Sequence, residues 1–133
     1  MTTGSETKVL VDTSVFIDFF RGHPPEGFEQ LLVQNRILLS RFVRIELLQG
    51  VRDSELRQLN YVLGGLEIIP HHPDLFGRVE TMIFDLKKSH LVAGVVDLLL
   101  AAEAFLMGCP VFSKDKVFGK LRQRRLIPGL YQG

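Results

Sequence analysis

Four short segments, Lys8 to Asp12, Ile37 to Leu39, Leu66 to Ile69 and Pro110 to Phe112, are rich in apolar residues and separated by stretches with helical spacing. Three consecutive apolar residues, as in Val9, Leu10 and Val11, mark a strand buried on both faces. Strands joined through helices run parallel in a sheet that the helices cover. The chain is therefore expected to form an α/β fold, a three-layer α/β/α sandwich around a central parallel sheet. The helices are predicted over Ser14 to Arg21, Pro25 to Asn35, Phe42 to Val51, Ser54 to Leu63, Pro73 to His90, Val95 to Met107 and Val117 to Arg125. Glycine and proline, as at Gly22, Pro24, Pro25, Gly64 and Gly65, end several of them.

No repeat, linker or low-complexity stretch interrupts the pattern. With 133 residues, 46% of them hydrophobic, the chain suits a single domain over residues 1–133. Residues 1–7 are polar and are expected to be flexible, without the basic-then-apolar pattern of a signal peptide. The longest apolar stretches fall short of the roughly 20 residues that span a bilayer, so no membrane association is expected. A lone Cys109, between Gly108 and Pro110, reads as a small buried residue in a protein of the reducing cytoplasm.

In parallel sheets, sites form at the carboxyl ends of the strands. Asp12 ends the first strand, Glu46 lies early in the helix after the second, Asp97 lies near the start of the helix feeding the last strand, and Asp115 follows that strand. A fold that delivers four carboxylates to one edge must compensate their charge, which points to a hard divalent cation such as Mg²⁺, with Mn²⁺ as a substitute. His23, His71, His72 and His90 lie away from these acids in sequence, and no Cys or His set has zinc spacing. An ion held by carboxylates suits phosphodiester hydrolysis by an activated water. Ser14 and Ser113 are expected to hydrogen-bond the acids and hold them in place. Asp18 and Glu103 sit on helices away from strand ends and are assigned exposed or supporting roles.

Charge is unevenly distributed. Residues 1–109 carry ten basic against fourteen acidic side chains, residues 110–133 six against one. Lys114, Lys116, Lys120, Arg122, Arg124 and Arg125 are the expected nucleic-acid-binding residues, able to neutralise substrate phosphates. Arg21, Arg41 and Arg44 are possible additions. Phosphate-loop, dinucleotide and RNP-type motifs are absent.

These residues resemble PIN-domain nucleases, and within them the VapC-type toxins of toxin-antitoxin pairs. VLVDTSVFIDFFRG is similar to the family's opening strand and helix, RIELLQG to its glutamate helix, and VVDLLLAAEAFLMGCPVFSKDKVF to its third acid, helix, strand and Ser/Thr-x-Asp ending. The resemblance implies a PIN-like fold, catalytic and metal-binding roles for Asp12, Glu46, Asp97 and Asp115, and support from Ser14 and Ser113. It further implies a Mg²⁺-dependent endoribonuclease, cutting structured RNA such as tRNA or rRNA, commonly a homodimer or a toxin-antitoxin hetero-oligomer. An antitoxin would cover the site and the groove beside the early helices, partly by inserting an Arg, with Phe16, Phe19 and Phe20 as apolar docking surface. Many relatives carry Pro before the third acid, where this chain has Val96. Two alternatives stand beside this reading. One is a phosphatase with Asp12 as phosphoryl nucleophile, against which Ser14 replaces the second Asp usual in haloacid-dehalogenase-type enzymes. The other is a non-catalytic RNA- or protein-binding module.

Overall fold

The structure, a computed structural model, describes residues 7–133. In chain order its elements are β1 (Val9–Val11), α1 (Thr13–Phe20), α2 (Phe28–Val33), β2 (Ile37–Leu39), α3 (Arg41–Gly50), α4 (Leu56–Gly64), β3 (Glu67–Ile68), α5 (Leu75–Lys88), α6 (Val95–Met107), β4 (Val111–Phe112) and α7 (Val117–Gln123). The sheet is wholly parallel, in the order β3-β2-β1-β4. Every strand thus points its carboxyl end the same way.

β1 sits in the middle because its residues tolerate nothing else. Val9, Leu10 and Val11 are fully buried, with Leu10 opposite Leu38 on one side and Val111 on the other. β3 is the edge, and its Glu67 and Ile68 are exposed. There Lys8 pairs with Glu67 at 3.2 Å and donates to the Asn35 carbonyl at 2.7 Å, charging an edge that would otherwise invite pairing. On the other flank, Leu130 forms a parallel bridge to Val111, so a C-terminal segment lengthens the sheet beyond its four strands.

Element boundaries follow local chemistry. The Ser40 hydroxyl accepts from the Phe42 N–H at 3.2 Å and opens α3 as a side-chain cap. Gly108, at φ +67, closes α6 in the left-handed region that glycine enters without penalty. Residues 98–104 of α6 are all buried. Its charged member, Glu103, is 7% exposed and hydrogen-bonds Ser40, and its carboxyl is pushed up by burial, with that bond opposing. The expected exposed or supporting role is corrected on the first count: Glu103 is an interior residue, because the helix carrying it is surrounded. The polar stretch 1–7 falls mostly outside the described residues. Thr7 itself is exposed, and its carbonyl accepts from Arg36 Nε at 2.8 Å.

Phe16 and Phe28 are buried and meet edge-to-face at 5.7 Å, and Phe19 lies on Phe28 at 4.7 Å. This cluster ties α1 to α2 and fixes the helix that follows Asp12. Phe16 is therefore core rather than docking surface. Replacing Phe28 with Ala should lower unfolding free energy by about 3–5 kcal/mol, whereas Val33→Ala, at an 86% exposed position, should stay within about 0.5 kcal/mol. Chemical denaturation of the two variants checks both.

Candidate active site at the carboxyl edge of the sheet

Asp12 is the first residue after β1, and its N–H donates to the Phe112 carbonyl at 2.9 Å. It holds the N-cap position of α1, where an Asp side chain ordinarily accepts from the helix's free N–H groups. Here it makes no such bond. Its Oδ2 instead accepts from the Ser113 hydroxyl at 2.7 Å and the Ser14 hydroxyl at 3.1 Å. Asp12 is 5% exposed, so a charge at this depth relies on those two donors. The serines are themselves held: Ser14 Oγ accepts from the Lys114 N–H at 3.1 Å, and Ser113 Oγ from the Asp115 N–H at 2.9 Å. Residues 101 positions apart are thereby joined across β1 and β4.

Glu46 reaches the same edge from α3, and its Oε1 accepts from the Thr13 hydroxyl at 2.6 Å. Thr13 was not among the expected site residues. Its signal was present, because a hydroxyl directly after a strand-end acid, at the first position of a helix, is placed to hold a neighbouring carboxylate. Asp115 is exposed, and its Oδ1 accepts from the Val117 N–H at 3.0 Å, so one oxygen is turned to the start of α7.

Asp97 stands in the first turn of α6 without a side-chain donor among the described residues. Its carboxyl is pushed up from 3.8 to about 6, first by burial and then by the charges of Asp12, Asp115 and Glu46, in that order. A backbone hydrogen bond at Gly94 opposes the rise. The charges of Asp12, Asp115 and Glu46 thus all act on the Asp97 carboxyl. Even so, no three His, Cys, Asp or Glu side chains among the described residues close on a single point as metal ligands. The acids form an open electrostatic cluster, not a finished cage.

The basic residues divide into two groups. Lys114, Lys116 and Lys120 lie in the loop before α7 and on its first turns. Lys114 forms an ion pair with Asp18, one helical turn beyond Ser14. Arg122, Arg124 and Arg125 lie at the far end, where Arg124 Nε donates to Asp85 of α5 at 2.8 Å. Beside Glu46 a small groove of about 80 Å³ opens between α1 and α3, with Ile17, Phe20, Leu47 and Val51 as apolar wall and Arg21 and Glu55 at its margin. No helix among the described residues is long and apolar enough to cross a membrane.

Comparison with known proteins agrees with this architecture. The family described as PIN domain matches residues 9–123, and the chain belongs to that family. Among curated proteins it is similar to Ribonuclease VapC1 of Methanocaldococcus jannaschii, 28% identical over 84% of this chain and 78% of the relative. It is equally similar to Ribonuclease VapC19 of Mycobacterium tuberculosis, 28% identical over 80% of this chain and 87% of the relative. Among solved structures, VapBC2 from Rickettsia felis, bound to a DNA fragment from its promoter, superposes with TM-score 0.76. That match has 21% identity and covers 92% of this chain and 97% of that one. DNA-bound VapBC from Salmonella typhimurium gives 0.70 at 22% identity, over 93% and 95% of the two chains. At these identities the solved structures speak for the fold.

The electrostatics yield a titration. A raised carboxyl pKa means that ionisation is harder in the folded than in the unfolded chain. Between pH 4 and 7, therefore, the metal-free protein loses stability as pH rises, while below pH 4 the burden is absent. Carbon-13 NMR should place the Asp97 midpoint near 6. Asp12→Asn should lower that midpoint, and Asp97→Asn should flatten the loss of stability between pH 4 and 7.

Proposed function

We propose that the chain is the toxin of a type II toxin-antitoxin pair, a Mg²⁺-dependent endoribonuclease that cuts structured cellular RNA such as tRNA or rRNA. The observation that carries this reading is Asp97, an aspartate whose carboxyl is pushed up to about 6 by burial and then by the charges of Asp12, Asp115 and Glu46. Such a cluster has little structural use, since like charges at one edge destabilise a fold, and it is relieved by a divalent cation. The donor set is all oxygen, which suits Mg²⁺ or Mn²⁺ over zinc. The open geometry suits Mg²⁺ as well, because that ion commonly keeps several waters and takes only one or two carboxylates directly.

In this reading Asp12, Asp97, Asp115 and Glu46 would hold the ion, one or two directly and the others through its waters. When bound it supplies an acidified water for in-line attack on phosphorus and positive charge for the departing oxygen. Ser14 and Ser113 hold Asp12 in place through hydrogen bonds to its Oδ2, and Thr13 holds Glu46 through its Oε1. Asp97 must surrender its proton before it can contribute, so cleavage rises with pH through its titration. Lys116 and Lys120, exposed beside the acids, offset phosphate charge as the strand approaches.

The groove between α1 and α3 would receive an antitoxin segment, with an apolar side chain against Ile17 and Phe20 and a basic one reaching Glu46. The named VapBC assemblies among the structural neighbours support such a partner. The active form would be a cytoplasmic homodimer, or a hetero-oligomer when the antitoxin is bound.

Cellular RNA 5′ ends mapped after brief expression should show cuts with the wild-type chain that vanish with Asp97→Asn. Purified protein should lose about a thousandfold or more in rate in that variant, matching the several kcal/mol of charge stabilisation a metal ion provides. Chelation with EDTA should do the same, and Mg²⁺ should restore activity to the wild type alone. Undiminished cleavage by Asp97→Asn, or in EDTA, overturns the assignment.

A further inference from the structure

α6 begins at the carboxyl edge with Asp97 and leads into β4, which is parallel to β1, so its last turns lie at the opposite, amino edge. α7 leaves β4 at the carboxyl edge and returns the same way. Where the two helices finish, a hollow of about 370 Å³ is lined by Phe105, Arg122, Arg125, Ile127 and Pro128. Phe105 is eight residues beyond Asp97, about 12 Å along the helix.

Three features in and beside this hollow bear on what it could hold. First, the Arg122 and Arg125 side chains have no hydrogen-bond or ion-pair partner among the described residues, whereas nearby Arg124 is tied to Asp85. Second, Arg125 stands at φ +60, in the left-handed position that closes a helix. Its N–H donates to the Arg122 carbonyl at 2.9 Å, and the Leu126 N–H to the Leu121 carbonyl at 2.9 Å, the pattern that selects glycine. The chain places Gly22 and Gly108 at φ +85 and +67 after α1 and α6 and Asn35 and His90 at φ +56 and +57 after α2 and α5, and here a longer side chain, an unpaired arginine. Third, the Arg78 guanidinium lies 3.5 Å from the centre of the Phe105 ring, and its Nε is buried without a hydrogen-bond partner among the described residues. Burial weakens Arg78's hold on its proton, with Asp85 opposing.

We propose that this hollow is a second RNA-binding subsite, in which Arg122 and Arg125 take backbone phosphates and the Phe105 ring, backed by Arg78, offers a flat face to a base. Guanidinium forks match phosphate oxygens, and aromatic faces accept bases without regard to sequence, so nucleic acid satisfies both halves of the site. The inference deepens the ribonuclease reading by naming where the strand is gripped away from the acids. A trinucleotide occupying the acidic edge would not reach this hollow, while a longer strand lying along α6 and α7 would.

The test uses the full chain carrying Asp97→Asn, in EDTA, with fluorescein-labelled single-stranded RNAs of 15 and 3 nucleotides. In that background Arg125→Gly and Arg122→Gln should each weaken 15-mer binding about tenfold and together reduce the salt slope by about 1.4, the expectation for two phosphates. Trinucleotide binding should not change. Arg125→Gly should also raise thermal stability, since glycine suits its backbone, which separates loss of a contact from loss of the fold. Unchanged 15-mer affinity in both variants overturns the proposal. So does a loss confined to an acidic octapeptide, which would mark a protein-docking surface. If the parent chain binds the 15-mer through these arginines but the wild type never cleaves RNA, the catalytic reading fails and this one stands.

Discussion

Mutual repulsion among four carboxylates is the constraint to which the rest of the molecule answers. Three of the acids are individually relieved: Asp12 by the Ser14 and Ser113 hydroxyls, Glu46 by Thr13, and Asp115 by a helix N–H. The fourth, Asp97, has no hydroxyl turned to it among the described residues, and burial together with the charges of the other three pushes its carboxyl up to about 6. The parallel sheet makes this possible, because only strands that all end on one side can bring residues 12 and 113 within hydrogen-bonding distance. Asymmetry of support, not the number of acids, distinguishes one carboxyl from the others.

Much of the architecture was legible because it depends on short-range pattern. Val9, Leu10 and Val11 can occupy only a strand covered on both faces, and β2 and α6 fall within the boundaries that apolar runs and glycine stops suggest. What escaped was decided by tertiary neighbours. Glu103 sits in a helix with ordinary composition around it, and nothing local says that the helix is enclosed. Phe16, Phe19 and Phe20 are alike as letters, yet Phe16 goes inward because Phe28 arrives from the next helix, while Phe20 is left to line a groove.

The acids show both sides of the same lesson. Their placement at strand ends could be read from topology, but the hydrogen bonds that organise them could not. Thr13 serves Glu46 across 33 positions, a pairing that depends on how α3 leans on α1. The basic segment was less readable still. As sequence it is one cluster from Lys114 to Arg125, but a helix of two turns carries its ends to opposite edges of the sheet, and Asp85 from a separate helix claims one of its members. Linear charge density does not predict a surface patch when the element runs perpendicular to it.

The bridge between Leu130 and Val111 carries a practical corollary. Gly129 and Tyr131 clasp both backbone groups of Val111, at 3.0 and 2.9 Å, and the Tyr131 ring rests 5.0 Å from that of Phe112. Phe112 adjoins Ser113, which steadies the buried aspartate. Deleting the last few residues would therefore strip the outer rail from a two-residue strand, bare a new sheet margin to intermolecular pairing, and loosen the Ser113 hydroxyl that holds Asp12.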